Sequence, residues 1–414
     1  MDFRVVLMLI TEALFAFLLL LHAGVLKNRW AVFASVLLLT AAFTVRGLCL
    51  DYESLDYTLF LRKWVDFYRQ NGGIHAFSCP LGNYNVPYLY FLCLFSYTSI
   101  NDLHLIKLLS IFFDVLLAYG AMMLLGKVRE SIPARIACFF TVLFLPTVIL
   151  NGSLWAQCDS IYVALAVLAI YFALDDRPIT SVLFFTLSFG FKLQAVFLLP
   201  VMAVLWLNGK YKLWHFLLFP VFYVLLVLPA VALGKPFLET LTLYASQAET
   251  VGGGLNYNSP SVYAFFQYDP NVTDLAAASR IGIIAAFVFM GAILTVCAIK
   301  RRSLTNGVIL AVSVLFAVGI PFLLPHMHDR YFFAADVLTV VMAYAYVKYA
   351  AAAPLTQFAS LLCYYAFLKM RYLLLMDHGA RALIVVLILC IVLFIKLLSA
   401  RSDTCSADTV TDTE

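Results

Sequence analysis

The chain reads as an all-α protein, a polytopic transmembrane helical bundle of about 13 spans, and three observations carry that reading. Of its 414 residues 64% are hydrophobic and only 12% charged, with a mean hydropathy of +0.96, whereas an ordinary soluble domain is near half apolar. Apolar runs of roughly 17–25 residues recur from end to end, each long enough to cross a bilayer core of about 30 Å. The polar breaks between them leave no room for a sizeable soluble domain.

The predicted spans are 3–26, 30–49, 105–125, 134–150, 160–175, 178–191, 193–208, 213–233, 279–299, 306–324, 331–349, 355–375 and 382–398. The first is long for a secretory signal, has only Arg4 as a basic flank and lacks a small-x-small cleavage site, so it reads as a retained helix. Basic residues in short loops then set the orientation. Lys27 and Arg29, then Lys127, Arg129 and Arg135, then Lys210 and Lys212, then Lys300, Arg301 and Arg302, and finally Lys396 and Arg401 are all expected on the cytoplasmic side. Counting 84–100 as a span would put Lys127 and the later basic loops outside. As a short helix along the interface, opening with the tyrosine-rich NYNVPYLY, it keeps them inside. The chain divides into an extra N-terminal helix (1–29), a module with long outer loops (30–275), C-terminal helices (276–400) and a polar, acidic tail expected to be disordered in the cytoplasm (401–414). The nine cysteines form no CxxC pair, so a metal or disulfide framework is not indicated; a bridge between Cys79 and Cys158 is the one left open.

The outer side then collects 51–100, 151–159, the neighbourhood of Lys192, 234–274 and 325–330. Asp51, Glu53, Asp56 and Asp66 fall within sixteen positions of the first loop, with Trp64 and Tyr68 among them. Such clustering exceeds what a linker needs, and one of these acids is expected to be a base over a membrane cavity. In Asn151-Gly-Ser-Leu-Trp-Ala-Gln-Cys-Asp159, Gln157 and Asp159 project near the top of the bundle, where a polar group by default marks function; Asp159 equally suits a helix cap. Lys192 and Gln194 interrupt an apolar run, either as a snorkelling lysine or as a cation for a phosphate. In Pro325-His326-Met327-His328-Asp329-Arg330-Tyr331, Arg330 offers a fork for phosphate oxygens. The two histidines could serve a metal but share no helical face, and the cluster could also be a structural anchor. Gly252-Gly253-Gly254 in the loop carrying Glu249 reads as a lid or as a plain flexible loop. Asp114, in an apolar helix, requires a partner or a proton, and Arg46 is a candidate partner for the first-loop acids. No GxxxxGK, GxGxxG, HExxH or GxSxG motif is present, which argues against a nucleotide-driven machine, a metalloprotease and an esterase.

Together, DYTLFLRKW, NYNVPYLY, WAQCDSIY, FKLQAVFLLP and PHMHDRYFF resemble the GT-C class of membrane glycosyltransferases, most closely bacterial proteins related to the GPI mannosyltransferases. The resemblance spans Arg46 to Tyr346. It departs at Ala156, where the family commonly has glycine in W-G-Q-x-D-S, at Asp329, where H-E-R-Y is usual, and in the extra helix 3–26, which puts the N-terminus outside. The resemblance implies a helical bundle with juxtamembrane helices in the first outer loop. It implies transfer of a hexose, with inversion, from a polyprenyl-phosphate carrier to a glycan, lipid or protein acceptor at the extracytoplasmic face of a cell membrane. Asp56 matches the first-loop catalytic acid, with Asp51 in reserve; Asp159 matches the second-loop acid, and His328 with Arg330 the group meeting the carrier phosphate. Tyr84, Trp155, Gln157, Lys192, Gln194 and His326 complete the candidate substrate contacts. Some members use a divalent metal and others none, and no cofactor is otherwise expected; neither is a nucleic-acid partner. The rival readings are a transporter or flippase of lipid-linked sugars, against which stand the lack of an internal repeat and the one-sided polar groups, and a non-catalytic subunit.

Overall fold

A computed structural model describes residues 2–82, 84–249, 253–266 and 274–400; Asn83, Gly252, Arg401 and the tail 401–414 lie outside the described residues, as does the Glu249 side chain. In chain order the helices are α1 (Phe3–His22), α2 (Arg29–Cys49), α3 (Arg62–Gln70), α4 (Val86–Ser96), α5 (Asp102–Gly126), α6 (Ile132–Phe144), α7 (Pro146–Val148), α8 (Asp159–Leu174), α9 (Pro178–Phe191), α10 (Val201–Asn208), α11 (His215–Ala232), α12 (Phe237–Leu241), α13 (Leu243–Glu249), α14 (Leu275–Ile299), α15 (Asn306–Leu323), α16 (Phe333–Ala345), α17 (Ala352–Lys369) and α18 (Met376–Ser399). Two-residue strands, β1 (Asn256–Tyr257) and β2 (Met327–His328), pair in parallel. The architecture among the described residues is an all-α helical bundle, as expected from the composition.

Local chemistry sets the helix ends. Side chains of Asn28, Asn101, Ser131, Asp274 and Thr305 accept from the first turns of α2, α5, α6, α14 and α15, satisfying backbone donors that a helix start leaves free. Leu145 is extended before Pro146, as the residue preceding proline is biased to be. The predicted span 134–150 is therefore two pieces, α6 and 146–154, bent by 43°. Where 382–398 was predicted, α18 begins at Met376: its polar first turn, Met376 to Arg381, is helical although it carries no apolar signal.

Among the described residues eight helices are long and apolar enough to cross a membrane, or nine with the bent pair. Their burial varies widely. In α15 and α5, 89% and 67% of the apolar window is buried; in α1, α11 and α14 only 22% is, so those three turn apolar flanks outward, as lipid-facing helices do. Other helices in the predicted spans are shorter: α8, α9 and α16 have 16, 14 and 13 residues. One apolar core runs through helices from both halves of the chain, with α16 packed on α5 and α6.

The basic loops around Lys127, Lys210 and Arg301 share one end of the bundle. Lys127 pairs with Asp175 at 2.5 Å and Lys210 with Asp176 at 2.6 Å. The Arg129 guanidinium donates to the Tyr344 carbonyl, Asn306 to that of Lys127, and Arg301 to that of Leu207. At the opposite end Arg4 donates to Ser99 at 2.9 Å, which brings the N-terminus beside the first loop. The short helix α4 is covered by protein on most of its surface, buried from Val86 through Leu89 and at Leu92 and Cys93.

Candidate functional site

The site lies at the end opposite the basic loops, where five separate segments converge. Its frame begins with Lys107 on α5, fully buried, whose ammonium donates to the carbonyls of Cys49, Leu50 and Tyr52 at 2.7–2.9 Å. This lysine satisfies the C-terminal carbonyls of α2 and fixes the turn that leads into the first loop. Ser54 then donates to the Trp155 carbonyl at 2.6 Å while receiving the Tyr57 amide. Asp56 opens the π-helical turn Tyr57–Leu61 directly after.

The second segment is a π-helical turn at Ile149–Leu154, followed by a reversal at Ala156, whose φ of 65° is left-handed. Gly152 permits the close pass, since a Cβ there would meet the Ser110 Cβ at 3.0 Å. The reversal aims both Trp155 and Gln157 at one target. The indole Nε1 of Trp155 donates to Asp56 Oδ2 at 2.9 Å, and Gln157 Nε2 donates to the same oxygen at 2.5 Å. Arg330, from the turn after β2, donates to it from Nη1 at 3.2 Å. All three donors converge on Oδ2. Among the described residues nothing is bonded to Oδ1, and the side chain is 22% exposed.

Asp159 is the second carboxylate and is 1% exposed. It stands in the first turn of α8, whose cap position is Cys158, and its side chain caps nothing. Instead its Oδ1 takes the Lys192 ammonium at 2.5 Å, and its Oδ2 takes Asn151 Nδ2 at 2.8 Å and faces Arg330 Nε at 3.4 Å. The capping reading of Asp159 is thereby displaced by an ion pair. So is the snorkelling of Lys192: the residue is buried where α9 breaks into the 3-10 turn Leu193–Phe197, its ammonium 5.9 Å over the Tyr84 ring. Arg330 bridges the two acids with its fork and stacks over Trp155 at 5.1 Å. Two acids and two bases thus lie locked in an almost dry cluster, a geometry that breaking any one partner would leave uncompensated.

The remaining sequence candidates separate. Asp51 is exposed and pairs with His104 at 2.9 Å; Glu53 faces Arg62 at 3.7 Å and Asp66 pairs with Arg69 at 2.6 Å. Of the first-loop acids only Asp56 faces the cluster. Tyr84 reaches Gln157 Oε1 at 3.5 Å, and Gln194 is half-buried beside Tyr331. His326 is taken up elsewhere: one ring nitrogen meets the Gly254 carbonyl at 2.7 Å and the other Ser279 at 3.1 Å. His328 stacks on Tyr257 at 4.6 Å and leans on Tyr331. Desolvation by those rings, with Arg330 and Lys192 nearby, lowers its pKa to about 4. Its exposed edge relieves part of that penalty, and the direction leaves the ring neutral at pH 7. A neutral His328 could meet a phosphate only through a ring N–H, not as a cation. Arg46 is a correction. It pairs not with the first loop but with Asp114, 3.0 Å away, both fully buried; Ser160 completes that acid's partners at 2.5 Å. Cys79 and Cys158 are both free thiols, the first exposed and the second buried, so no bridge joins them.

No protein-family model matches this chain, and no curated protein matches it in sequence. Residue chemistry alone has to say what the site does.

Sequence reasoning missed three contributors. Asn151 orients Asp159 and meets the Tyr364 hydroxyl at 3.0 Å; its signal was a polar side chain at the end of an apolar run. Tyr257 anchors 253–266 to β2 through the parallel pair and its stack on His328, so the described glycines Gly253 and Gly254 lead into a held segment. Lys107 carried the same signal as Lys192, a lone cation inside an apolar helix. Among the described residues no three His, Cys, Asp or Glu side chains gather as a metal-ligand group. Asp56 and Asp159 already hold the protein's own cations, and His326 is occupied. These donors do not fit a resident divalent ion.

Proposed function

We propose that this protein is an inverting membrane glycosyltransferase that moves a hexose from a polyprenyl-phosphate carrier to an acceptor hydroxyl. One observation carries the reading: Asp56 has one oxygen pinned by Trp155, Gln157 and Arg330 and the other without a partner among the described residues, beside two cations. A carboxylate so held is oriented for general-base work at Oδ1. The acceptor hydroxyl would give its proton to Oδ1 as its oxygen attacks the anomeric carbon. The bond from that carbon to the phosphate oxygen breaks on the opposite face, and its electron pair leaves with the carrier phosphate. Arg330 retains Nη2 with no hydrogen bond among the described residues, and Lys192 has two further N–H donors, so both have protons to offer the growing phosphate charge. Fixed donors in a water-poor site stabilise such charge strongly.

The basic loops at the other end favour the cytoplasm by the positive-inside rule, which supports an extracytoplasmic site. A lipid-linked donor also accounts for a transferase embedded among apolar helices, since its tail would lie between them.

The test is turnover of a panel of radiolabelled polyprenyl-phosphate hexoses by purified full-length protein, beside Asp56→Asn. One donor is expected to be consumed, with the variant down by about 10²–10⁴-fold, the usual worth of a general base. Undiminished turnover in the variant would remove Asp56 from the role. If no donor is consumed, and labelled lipid instead crosses the bilayer of reconstituted vesicles, the transferase reading gives way to a flippase.

A further inference from the structure

Asp336 is a buried acid that the mechanism above does not use. It stands in the first turn of α16, fully buried, and among the described residues no Lys, Arg or His pairs with it. Asp114 and Asp159, equally enclosed, hold Arg46 and Lys192. Ser360 of α17 donates to Asp336 Oδ1 at 2.9 Å, while Oδ2 has no hydrogen bond among the described residues. A carboxylate taken out of water without a counter-charge is costly, so it requires a positive partner. Among apolar membrane helices such a residue by default marks a site.

Oxygens surround this acid. Thr147 and Gln357 face the same carboxyl group, and Gln357 Nε2 donates to Thr147 Oγ1 at 2.9 Å. Thr147, Gln357 and Ser360 are all buried, and the elements that carry the four residues, α7, α16 and α17, pack on one another. Thr147 is delivered by the break at Leu145 and Pro146, where the span bends by 43°; broken helices likewise supply oxygens to small cations in membrane transporters. A proton is shared between two oxygens, whereas here oxygens from three helices meet at one carboxyl group, as around a hard cation. Charge then selects the ion. One carboxylate among neutral side chains balances a single positive charge, and a divalent ion would leave an excess in the dry interior. Oxygens and nitrogens in contact at 2.9 Å bound a space for a small ion rather than a large one.

We propose that Asp336, Thr147, Gln357 and Ser360 form a binding site for Na+. The ion ties α16 and α17 to the broken span, and its influence reaches the ionic cluster through α17. Tyr364, one turn beyond Ser360, takes Asn151 Nδ2 at 3.0 Å, and the same nitrogen holds Asp159 at 2.8 Å. The inference goes beyond the transferase reading and stands apart from it, since its readout is ion binding and not turnover. Full-length protein in detergent is titrated with NaCl, KCl or choline chloride at constant ionic strength, and its melting temperature is followed beside Asp336→Asn and Ser360→Ala. NaCl is expected to raise melting saturably, by about 2 °C or more over choline chloride, with KCl weaker. Radiolabelled Na+ should bind wild type with the same midpoint, competed by unlabelled NaCl and not by choline chloride. Asp336→Asn is expected to lose the Na+ dependence. Ser360→Ala keeps the charge and should raise the midpoint by about threefold or more, the worth of one oxygen contact. If wild type melts alike in NaCl and choline chloride and binds no labelled Na+, Asp336 holds only a proton and the inference is overturned. Equal responses to NaCl and KCl overturn the assignment to Na+. A Na+ effect unchanged in both variants puts the ion elsewhere and overturns the site. Should Asp336→Asn fail to fold, wild-type binding and the midpoint of Ser360→Ala decide.

Discussion

Asp329 follows His328 on the turn that delivers Arg330, and burial pushes its carboxyl up to about 7, with Arg330 pulling it back and Asp56 and Asp159 raising it further. The folded protein thus keeps a proton that the unfolded chain releases near pH 4. Between those values the unfolded state binds fewer protons, so stability falls as pH rises from about 4 to about 7. Asp329→Asn should flatten that part of the curve, which thermal unfolding in detergent at about pH 5 and about pH 7.5 would check. Ala156 is a second residue-scale case. Its left-handed backbone disfavours any Cβ by roughly 1–2 kcal/mol, part of which glycine's extra unfolded-state freedom offsets. Ala156→Gly is expected to stabilise the protein by up to about 1 kcal/mol, seen as a higher melting temperature. The departure from W-G-Q-x-D-S was legible in the sequence, but its meaning required the φ angle.

At the scale of elements, the helices that carry the site are the short ones. At 1.5 Å per residue, α8, α9 and α16 span roughly 20–24 Å, less than a bilayer core of about 30 Å. Asp159 opens α8 and Lys192 directly follows α9, so both sit at the ends of short helices. The segment 253–266 is tied down by β1, β2 and the Tyr257–His328 stack. An aromatic pair contributes about 0.5–1.5 kcal/mol. Tyr257→Ala should therefore raise the open population of this segment by about 2–10-fold, read as faster limited proteolysis between residues 253 and 266 with little change in global melting. Hydrophobic runs announced the spans because transfer from water is a local, additive property. They did not announce the break at Leu145 as a bend, or the helical polar turn that opens α18.

Across the whole molecule, Arg46 and Asp114 join α2 to α5 inside the apolar bundle, with Arg46 also donating to the Leu143 carbonyl at 2.9 Å. Asp114→Ala strands a guanidinium in a dry interior and should cost about 3–5 kcal/mol, whereas replacing the pair together, Arg46→Met with Asp114→Leu, should recover most of that. Chemical unfolding of the single and double variants measures the difference. This pair connects to the site through Ser160, the neighbour of Asp159, so the same interior that holds the helices also supports the second carboxylate.

By itself the sequence determined the helical class, the basic loops around Lys127, Lys210 and Arg301 that meet at one end and the segments that carry polar groups at the other, because each depends on composition summed over a short window. It did not determine which acid faces the cluster. Asp51 and Asp56 are the same residue type five positions apart in one loop, and nothing local ranks them. Tertiary structure decided for Asp56 by bringing Trp155, Gln157 and Arg330 to one oxygen from 99, 101 and 274 residues away. It likewise turned Lys192 inward and sent Arg46 to Asp114. An ionisable side chain in a low-dielectric bundle takes its role from the charges within a few ångströms, and only the folded chain says which those are.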